Sequence, residues 1–278
     1  MTTPTPHIGM ALSGGGTRGV AHLGVYKALL EAGIQPTHFS GTSAGAIAGA
    51  LIATGRDVDE LFQIVVDGSS LFKVYKFGFP LNGLSSLEYL RTMLTRCGVP
   101  TTFDALTYHL EVGVSNMNTG LFETHHAGPL HEYIMASCAI PLMFKPMEIE
   151  GEVYIDGGVF ENLPAAPLRN HCDLVVGVNI MPNVPQRLRG NSNIFSILNR
   201  SFELIVFNTT SLGFASCDVL IDPPELGQYH FLSFSLLDKM YEAGYAAGVR
   251  ALPEIRAHLA KNAALAAAQP GTADGTLH

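Results

Sequence analysis

The chain has 278 residues, 47% of them hydrophobic and only 14% charged, so it can bury a sizeable core as one large domain or two small ones. A formal charge of −8 argues against bulk electrostatic binding to nucleic acid or anionic lipid, so a membrane contact would need apolar surface or a local patch. The first residues lack the regions of a secretory signal, and no apolar stretch is long enough to span a bilayer. These features predict a cytoplasmic protein that is either free or peripheral to a membrane.

The first predicted strand, residues 8–13, leads into a glycine-rich turn that is followed by a predicted helix over residues 20–32. The turn, residues 14–19, reads GGGTRG, and a turn of this kind exposes backbone N–H groups that can bind an anion. It lacks the P-loop pattern. It satisfies G-x-G-x-x-G, but the acidic residue that a dinucleotide site needs about twenty positions further on is missing.

A third interpretation of this turn is an oxyanion hole, in which N–H donors face the oxygen that becomes negative during acyl transfer. Consecutive glycines supply such donors without side chains that block the substrate, and each donor is worth roughly 2.7–4 kcal/mol. Arg18 adds a positive charge nearby, either as a direct substrate contact or as an arginine that anchors the turn.

The segment with the clearest catalytic pattern is residues 41–45, GTSAG, which match G-x-S-x-G. A short extended stretch precedes the motif, and an unbroken apolar run over residues 44–53 predicts a buried helix after it. In this setting the motif presents a nucleophilic serine above a sheet, and Gly41 and Gly45 would let strand and helix pass closely. The alternative interpretation is that Ser43 only caps the helix.

Helices and strands alternate along the next part of the chain. Helices are predicted over residues 57–67, 84–97 and 130–141, and a strand over residues 110–117. Residues 71–81 are dense in aromatic side chains and carry two lysines. This composition favours an ordinary core-packing loop over a flap that meets lipid or lines an acyl-chain groove, with both interpretations left open.

A carboxylate follows the next predicted strand, residues 152–155. There Asp156 precedes Gly157 and Gly158, so the backbone is expected to approach a neighbouring element closely, although a plain Asp-Gly turn gives the same pattern. The remaining predicted elements are strands over residues 173–180 and 219–222 and helices over residues 194–214 and 236–261, the last with a break at Pro253 left open.

Alternating buried strands and helices predict a three-layer α/β/α sandwich with a largely parallel central sheet. We expect residues 1–262 to form a single domain and the Ala/Gly/Thr-rich residues 263–278 to be a disordered tail. The cysteines are scattered without C-x-x-C pairing, which favours reduced thiols over disulfides or metal ligands: Cys97, Cys138, Cys172 and Cys217.

The three glycine-lined turns each follow a predicted strand, and sites in parallel sheets form at the carboxyl ends of strands. An anion-binding loop, an exposed serine and a carboxylate at one such edge predict a hydrolytic site. His22, His38 and His230 stay open as the base, but none lies in a glycine-rich turn, and the usual α/β-hydrolase order needs several strands before the serine. A carboxylate that serves directly as the base is simpler, and partial burial should raise its pKa.

These motifs together resemble the patatin-like phospholipases, in that family's order and spacing, over about residues 8–250. The resemblance rests on residues 14–19, 41–45, 136–141 (ASCAIP) and 156–158, with later support from residues 218–221 and 242–245. It implies a serine lipid acyl hydrolase of the phospholipase A or esterase type, with Ser43 and Asp156 as a catalytic dyad that needs no histidine.

The resemblance also implies a mechanism. Ser43 would attack the ester carbonyl and form an acyl-enzyme, while Asp156 would take the serine proton, pass it to the leaving alcohol and then activate water. The amides of Gly14, Gly15 and Gly16 would hold the oxyanion, and no metal or other cofactor would be needed. The partner would be a lipid or ester substrate, with a transient membrane-surface contact left open. Supporting roles would fall to Arg18, Gly41, Gly45, Gly157 and Gly158.

Two alternative functions remain at this stage. An acyltransferase would use the same acyl-enzyme and pass the acyl group to an alcohol or thiol. A binding module would instead hold a phosphate or nucleotide in the glycine turn, with Ser43 as a cap only. Head group, chain length and oligomeric state have no sequence signal of their own.

Overall fold

The computed structural model describes residues 6–74, 87–182, 194–230 and 233–268. The predicted loop over residues 71–81 therefore lies largely outside the described residues, and its first four residues end a helix. The last helix extends to Ala268, six residues into the predicted tail, and residues 269–278 lie outside the described part of the chain.

A single mixed sheet forms the centre of the described structure. Its strands are β1 (Ile8–Leu12), β2 (His38–Thr42), β3 (His109–Asn116), β4 (Phe122–His125), β5 (Met147–Ile149), β6 (Glu152–Asp156), β7 (Leu174–Val178) and β8 (Val219–Ile221). The strand order is β5-β6-β3-β2-β1-β7-β8, and β4 also pairs with β3. Strands β3, β2, β1, β7 and β8 run parallel to one another, whereas β4 and β6 run antiparallel to β3. The largely parallel sheet is confirmed, with an antiparallel extension on one side.

Helices flank this sheet. The described ones are α1 (Val20–Glu31), α2 (Ala44–Ala53), α3 (Val58–Val74), α4 (Glu88–Arg96), α5 (Leu130–Ser137), α6 (Ile194–Thr210) and α7 (Leu237–Ala268). Each was predicted to within a few residues at its start. Pro253 does not break α7, which continues through it.

The two faces of the sheet carry separate cores, because side chains alternate along each strand. On one face Met10 and Leu12 of β1 join the larger core, which also contains buried side chains of α1, α2 and α7. On the other face Ala11 packs with Leu163 and Leu168 in a smaller core. The apolar run of α2 is explained by this burial, since nine of its ten residues are buried between the sheet and other helices. The parallel strands β1, β2, β3 and β7 are buried for the same reason, whereas β4 is only partly buried.

The direction of β6 corrects one part of the sequence analysis. Asp156 lies at the expected edge, beside the carboxyl ends of the parallel strands, but β6 is antiparallel to β3 and reaches this edge from the opposite direction. Its last residue pairs with Val114, one residue after Gly113, which itself pairs with Thr42 at the end of β2. The chain thus places Asp156 level with the residue that follows β2, which is Ser43.

Candidate active site

The turn between β2 and α2 holds Ser43 in an unusual backbone conformation. Its φ is 54° and its ψ is −119°, a combination that a residue with a side chain adopts only when its surroundings enforce it. Ser43 occupies the N-cap position of α2, yet its side chain makes no capping hydrogen bond. Ser43 and Asp156 line the same small cavity, and the interaction with the Ser43 hydroxyl lowers the pKa of the Asp156 carboxyl group. The helix-cap interpretation therefore does not account for this serine.

Two glycines let the strand and the helix pass around this turn. A Cβ atom on Gly41 would overlap the backbone of Gly45, and a Cβ atom on Gly45 would overlap the carbonyl group of Leu12 in β1. The spacing of the G-x-S-x-G motif is thus required by packing.

The turn after β6 brings Asp156 over β3 towards Ser43. A Cβ atom on Gly157 would lie 2.5 Å from the carbonyl oxygen of Gly113 and 2.9 Å from Cγ2 of Thr42. Only a residue without a side chain leaves room for this approach, so the Asp-Gly-Gly turn is more than a simple reversal. It carries the carboxylate across one strand to the serine.

The carboxyl group of Asp156 is almost completely buried, with 2% of the residue exposed. Burial raises its pKa from 3.8 to about 7, against the opposite effect of hydrogen bonds from the Ser43 hydroxyl and the Gly158 amide. The Gly158 N–H donates to Oδ1 at 2.8 Å. A carboxyl group with a pKa near neutrality is suited to accept and return a proton.

The glycine-rich turn after β1 lies beside Ser43, but its amides are not equivalent. The Gly14 N–H donates to Oδ1 of Asn162 at 3.0 Å and also approaches the Asn162 carbonyl oxygen at 3.3 Å. Gly15 and Gly16 stand at the start of a short 3₁₀ helix, Gly16–Gly19, where backbone amides have no intrahelical acceptor. Gly14 is therefore engaged in fixing the turn.

Arg18 holds this turn against a distant segment. Its Nε and Nη2 atoms donate to the Tyr229 carbonyl oxygen at 2.9 and 2.5 Å, and Nη1 lies 3.2 Å from Sδ of Met181. Burial lowers the pKa of Arg18, while the charge of Glu203 raises it. Of the two roles considered for Arg18, these contacts match the anchoring one.

Two cavities meet at Ser43. The larger has a volume of about 180 Å³ and runs along α2 past Ile47 and Ala48 to Leu51, between α4 and the turn after α5. Its lining is almost entirely apolar. The smaller, of about 30 Å³, is bounded by the glycine turn, Asp156, Asn162 and the inner face of α6: Phe202, Glu203 and Val206.

Three residues near the site were not singled out as functional by the sequence analysis. Asn162 contacts Gly14, Ser137 accepts a hydrogen bond from the Ser43 amide at 2.7 Å, and Cys138 lines the larger cavity beside Ser43. Ser137 and Cys138 lie in the ASCAIP segment that carried the family resemblance, so a signal existed for them. Asn162 had none, because its partner lies 148 positions earlier.

The histidines left open as bases lie in different surroundings. His22 is buried, with Nε2 2.9 Å from the Ser13 carbonyl oxygen, and burial lowers its pKa to about 4. His38 begins β2 and so lies at the end of that strand away from Ser43. In the described part of the chain no three His, Cys, Asp or Glu side chains are arranged to hold a metal ion. No helix there combines the length and apolar character that crossing a membrane requires.

Comparison with known proteins adds the family context. The sequence model of the family described as patatin-like phospholipase matches residues 10–169, which include both Ser43 and Asp156. The chain is 28% identical over 279 residues to lysophospholipase nte1 of Emericella nidulans, covering 90% of this chain and 18% of that protein. It is 30% identical over 279 residues to an uncharacterized NTE family protein of Mycobacterium tuberculosis, covering 88% and 46%. The chain thus spans less than half the length of either relative.

Solved structures show the same fold. VipD from Legionella pneumophila matches with a TM-score of 0.52 at 16% identity, covering 92% of this chain and 68% of that one. Human GIVD cytosolic phospholipase A2, solved with methyl gamma-linolenyl fluorophosphonate and terbium chloride, matches with a TM-score of 0.50 at 11% identity, covering 94% and 60%. At these identities the likeness establishes the architecture alone.

Proposed function

We propose that this chain, which belongs to the patatin-like phospholipase family, is a serine lipid acyl hydrolase with Ser43 as nucleophile and Asp156 as general base. The observation that carries the proposal is that Ser43 lines the same small cavity as Asp156, a buried carboxyl group whose pKa is raised to about 7. The relative from Emericella nidulans is named a lysophospholipase, which supports a lipid ester as the substrate.

In the first step the Ser43 oxygen attacks the carbonyl carbon of the ester, and its proton moves to the Asp156 carboxylate. The negative charge that forms on the carbonyl oxygen is held by the amides of Gly15 and Gly16. Gly14 was expected to be the third donor, but its amide already donates to Asn162, so we assign it to fixing the turn. Each remaining donor is worth roughly 2.7–4 kcal/mol of barrier height.

Collapse of this intermediate breaks the bond to the alcohol, which leaves with the proton that Asp156 returns. The acyl group stays on Ser43 as an ester. In the second half Asp156 takes a proton from water, the hydroxide attacks the acyl-enzyme, and the fatty acid is released with the proton back on Ser43. A single carboxyl group can serve both halves because its pKa lies near neutrality.

The acyl chain of the substrate is proposed to occupy the larger cavity. The cavity follows α2 from Ser43 to Leu51, eight residues further, which is about 12 Å at 1.5 Å per residue. Its walls are apolar, so a hydrocarbon chain gains free energy by leaving water there, at roughly 0.8 kcal/mol per methylene group.

The binding-module alternative is disfavoured by the charges around the glycine turn. The cavity beside it is only about 30 Å³ and is lined by Asp156 and by Glu203, whose carboxylate is paired with Arg200. Acidic side chains repel a phosphate group at short range, since like charges in a partly buried site are weakly screened. Ester hydrolysis makes use of Asp156, whereas phosphate binding does not.

The direct test is labelling with a fluorophosphonate, followed by mass spectrometry of the intact protein and of its peptides. We expect one label, on Ser43, and none on Ser43→Ala. Ser201→Ala, which removes an exposed serine of α6, is the matched control and should label as the parent does. A label on another serine, or ester hydrolysis by Ser43→Ala, would contradict the proposal.

The acyl cavity is tested by changing its volume. Ala48, one turn into α2, lines the cavity, so Ala48→Phe should block its distal part. Hydrolysis of long-chain p-nitrophenyl esters should then fall roughly tenfold or more relative to short-chain esters, as methylene groups lose their site. Met93→Ala enlarges the same cavity and should shift the preference the other way. An unchanged chain-length profile in both variants would exclude the acyl chain from this cavity.

We also propose that the lipid comes from an uncharged membrane surface that docks on the outer face of α6. Its inner face lines the smaller cavity, whereas Ile197, Leu204 and Ile205 are 43–44% exposed on one side of the helix. The other exposed residues described on that side are Ser201 and Asn208, so the face carries no charge. A neutral face on a chain of net charge −8 suits zwitterionic lipid better than anionic lipid.

This contact is measured by sedimentation with phosphatidylcholine vesicles. The double substitution Leu204→Ser and Ile205→Ser should lower vesicle binding roughly tenfold or more, because two apolar side chains no longer leave water. Turnover of a water-dispersed short-chain ester should stay unchanged. Leu265→Ser, at a leucine of α7 that is more exposed than Leu204, is the control, and equal loss in both variants would exclude a specific α6 contact.

A further inference from the structure

The segment that ends α5 contacts both members of the proposed dyad. The Ser43 amide donates to Oγ of Ser137 at 2.7 Å, and the Asp156 amide donates to the carbonyl oxygen of Ala139 at 3.1 Å. Cys138, between these two, lines the larger cavity together with Ser43, and its side chain interacts with that serine. Three consecutive residues therefore touch the backbone or side chain of the nucleophile and of the base.

The Ser137 hydroxyl has a fixed direction. Its Oγ lies 2.6 Å from the carbonyl oxygen of Gly113 in β3, to which it can only donate. Its lone pairs are then left to accept the Ser43 N–H, which has one proton to give. Ser137 is completely buried, so water cannot replace either bond.

The bond from Ser43 matters because of that residue's backbone conformation. A φ of 54° and a ψ of −119° are sparsely populated for serine and persist only when the surroundings over-determine them. The Ser43 carbonyl oxygen is held by the first turn of α2, through the Ile47 amide at 3.1 Å. Ser137 holds the other side of the same residue, at its amide.

We propose that Ser137 is a positioning residue that fixes the distance between the Ser43 hydroxyl and the Asp156 carboxylate by holding the Ser43 amide against β3. The same β3 carbonyl, that of Gly113, is the group over which the Asp156-Gly157 turn folds. Ser137 thus ties the nucleophile to the strand that also supports the base. This role rests on the proposed function of Ser43 and Asp156.

The test compares Ser137→Ala with Ser40→Ala. Ser40 is also fully buried and lies in β2, where its hydroxyl donates to the Pro164 carbonyl oxygen away from the dyad. Both variants lose one buried hydroxyl and should lose similar thermal stability. Ser137→Ala should in addition lower kcat roughly a hundredfold, since a displacement of about 1 Å at a reacting group has that effect, with KM nearly unchanged. Ser40→Ala should keep the parental kcat.

The pH profile supplies a readout that a purely structural role would not change. The hydrogen bond from Ser43 lowers the pKa of Asp156, against the effect of burial. If Ser137→Ala lengthens that bond, the acidic limb of kcat/KM moves to higher pH. Ser137→Thr keeps the hydroxyl and should restore the parental limb and part of kcat.

The outcomes separate the two proposals. If the parental protein carries no phosphonate label on Ser43, the proposed function itself is wrong. If the parent is labelled and Ser137→Ala matches Ser40→Ala in kcat, labelling rate and pH profile, the positioning role of Ser137 is wrong and the dyad stands. Should Ser137→Ala not fold, Ser137→Cys decides, because its thiol is a weaker hydrogen-bond partner than the hydroxyl. A folded Ser137→Cys with lowered kcat and a displaced pH limb supports the role, and a parental kcat with a parental limb overturns it.

Discussion

The two ends of the parallel strands of this sheet differ in how far their ionisable side chains are exposed to water. Beside the carboxyl ends, Ser43 and Asp156 meet in a buried pocket lined by glycine turns. At the amino ends, imidazole rings gather near the surface: the ring centroids of His38, His109 and His171 lie 5.5, 5.7 and 6.3 Å apart. The first end isolates one carboxyl group from water, whereas the second keeps several titratable rings partly in contact with it.

Two aspartates make the same contrast. Asp156 is paired with a neutral hydroxyl and a neutral amide, so burial prevails and its pKa rises to about 7. Asp218 precedes β8 at the other end of the sheet. Burial would raise its pKa too, but hydrogen bonds from Arg169 and from the Val175 amide, at 2.7 and 2.8 Å, outweigh burial and lower it. Asp156 combines full burial with uncharged partners, whereas Asp218 is less buried and pairs with a cation, and together these two differences move the pKa values in opposite directions.

The largest expected effect is that of a glycine-to-alanine substitution, which we compare at the carboxyl ends and at the amino ends of the strands. Gly45→Ala would place a Cβ atom on the carbonyl group of Leu12, so we expect no folded protein. Gly33→Ala, after α1, has open space around the new Cβ and suffers only from a φ of +76°. It should lower the free energy of unfolding by about 1–2 kcal/mol. Circular dichroism and thermal melts compare the two, and a well-folded Gly45→Ala would contradict the close packing described for the nucleophile turn.

Next in size is the exchange of a single carboxyl group. Asp156→Asn removes the proton acceptor, and turnover of p-nitrophenyl esters should fall by roughly 10²–10⁴-fold. Asp218→Asn weakens only the bonds to Arg169 and Val175, so activity should stay within about twofold while the melting temperature decreases. Equal loss of activity in both variants would mean that Asp156 acts through the fold and not through its proton.

A third effect follows from pH in the unsubstituted protein. The base must be ionised, and the pKa of Asp156 is raised to about 7. Catalytic efficiency should therefore be full above that value and decrease as the pH falls through it, to roughly a hundredth two units lower. A profile of kcat/KM between pH 5 and pH 9 measures this. An acidic limb near pH 4 would show that Asp156 is not the titrating base, or that its site is open to water.

The smallest effect is expected at the histidines. Burial lowers the pKa of His38, and the charges of His109, His7 and His171 lower it further, while Glu111 opposes them. A depressed pKa in the folded state means that acid favours unfolding, so His38→Gln should raise the melting temperature by about 1–2 °C near pH 5.5 and leave it unchanged at pH 8. Esterase activity at pH 8 serves as the control. A variant that loses activity there would link the two ends of the sheet.

Much of the fold follows from local patterns in the sequence. The helix α2 was predicted over the same residues, 44–53, because an apolar segment that directly follows a strand and G-x-S-x-G is typical of a buried helix. Strands β4 and β5 were not predicted. Their sequences, FETH and MEI, are short and mix polar with apolar residues, so pairing with β3 and β6 decides their conformation more than their own propensity.

The remaining differences are long-range. The antiparallel direction of β6 cannot be read from residues 152–156, since a strand has the same pattern in either direction. The engagement of the Gly14 amide depends on Asn162, 148 positions later, and the support of Ser43 depends on Ser137, 94 positions later. Sequence reasoning could place the candidate dyad residues by motif. It could not place the residues that hold their backbone.

The delivery of Asp156 by an antiparallel strand has a consequence for folding. The nucleophile and the base lie 113 positions apart (43 and 156) and meet only after β2, β3 and β6 have paired in register. Contacts of such long sequence separation form late and slowly, because the chain must close a large loop first. During refolding, the circular dichroism signal of the helices should therefore return before esterase activity. The return of activity then reports when the strands of the sheet have paired.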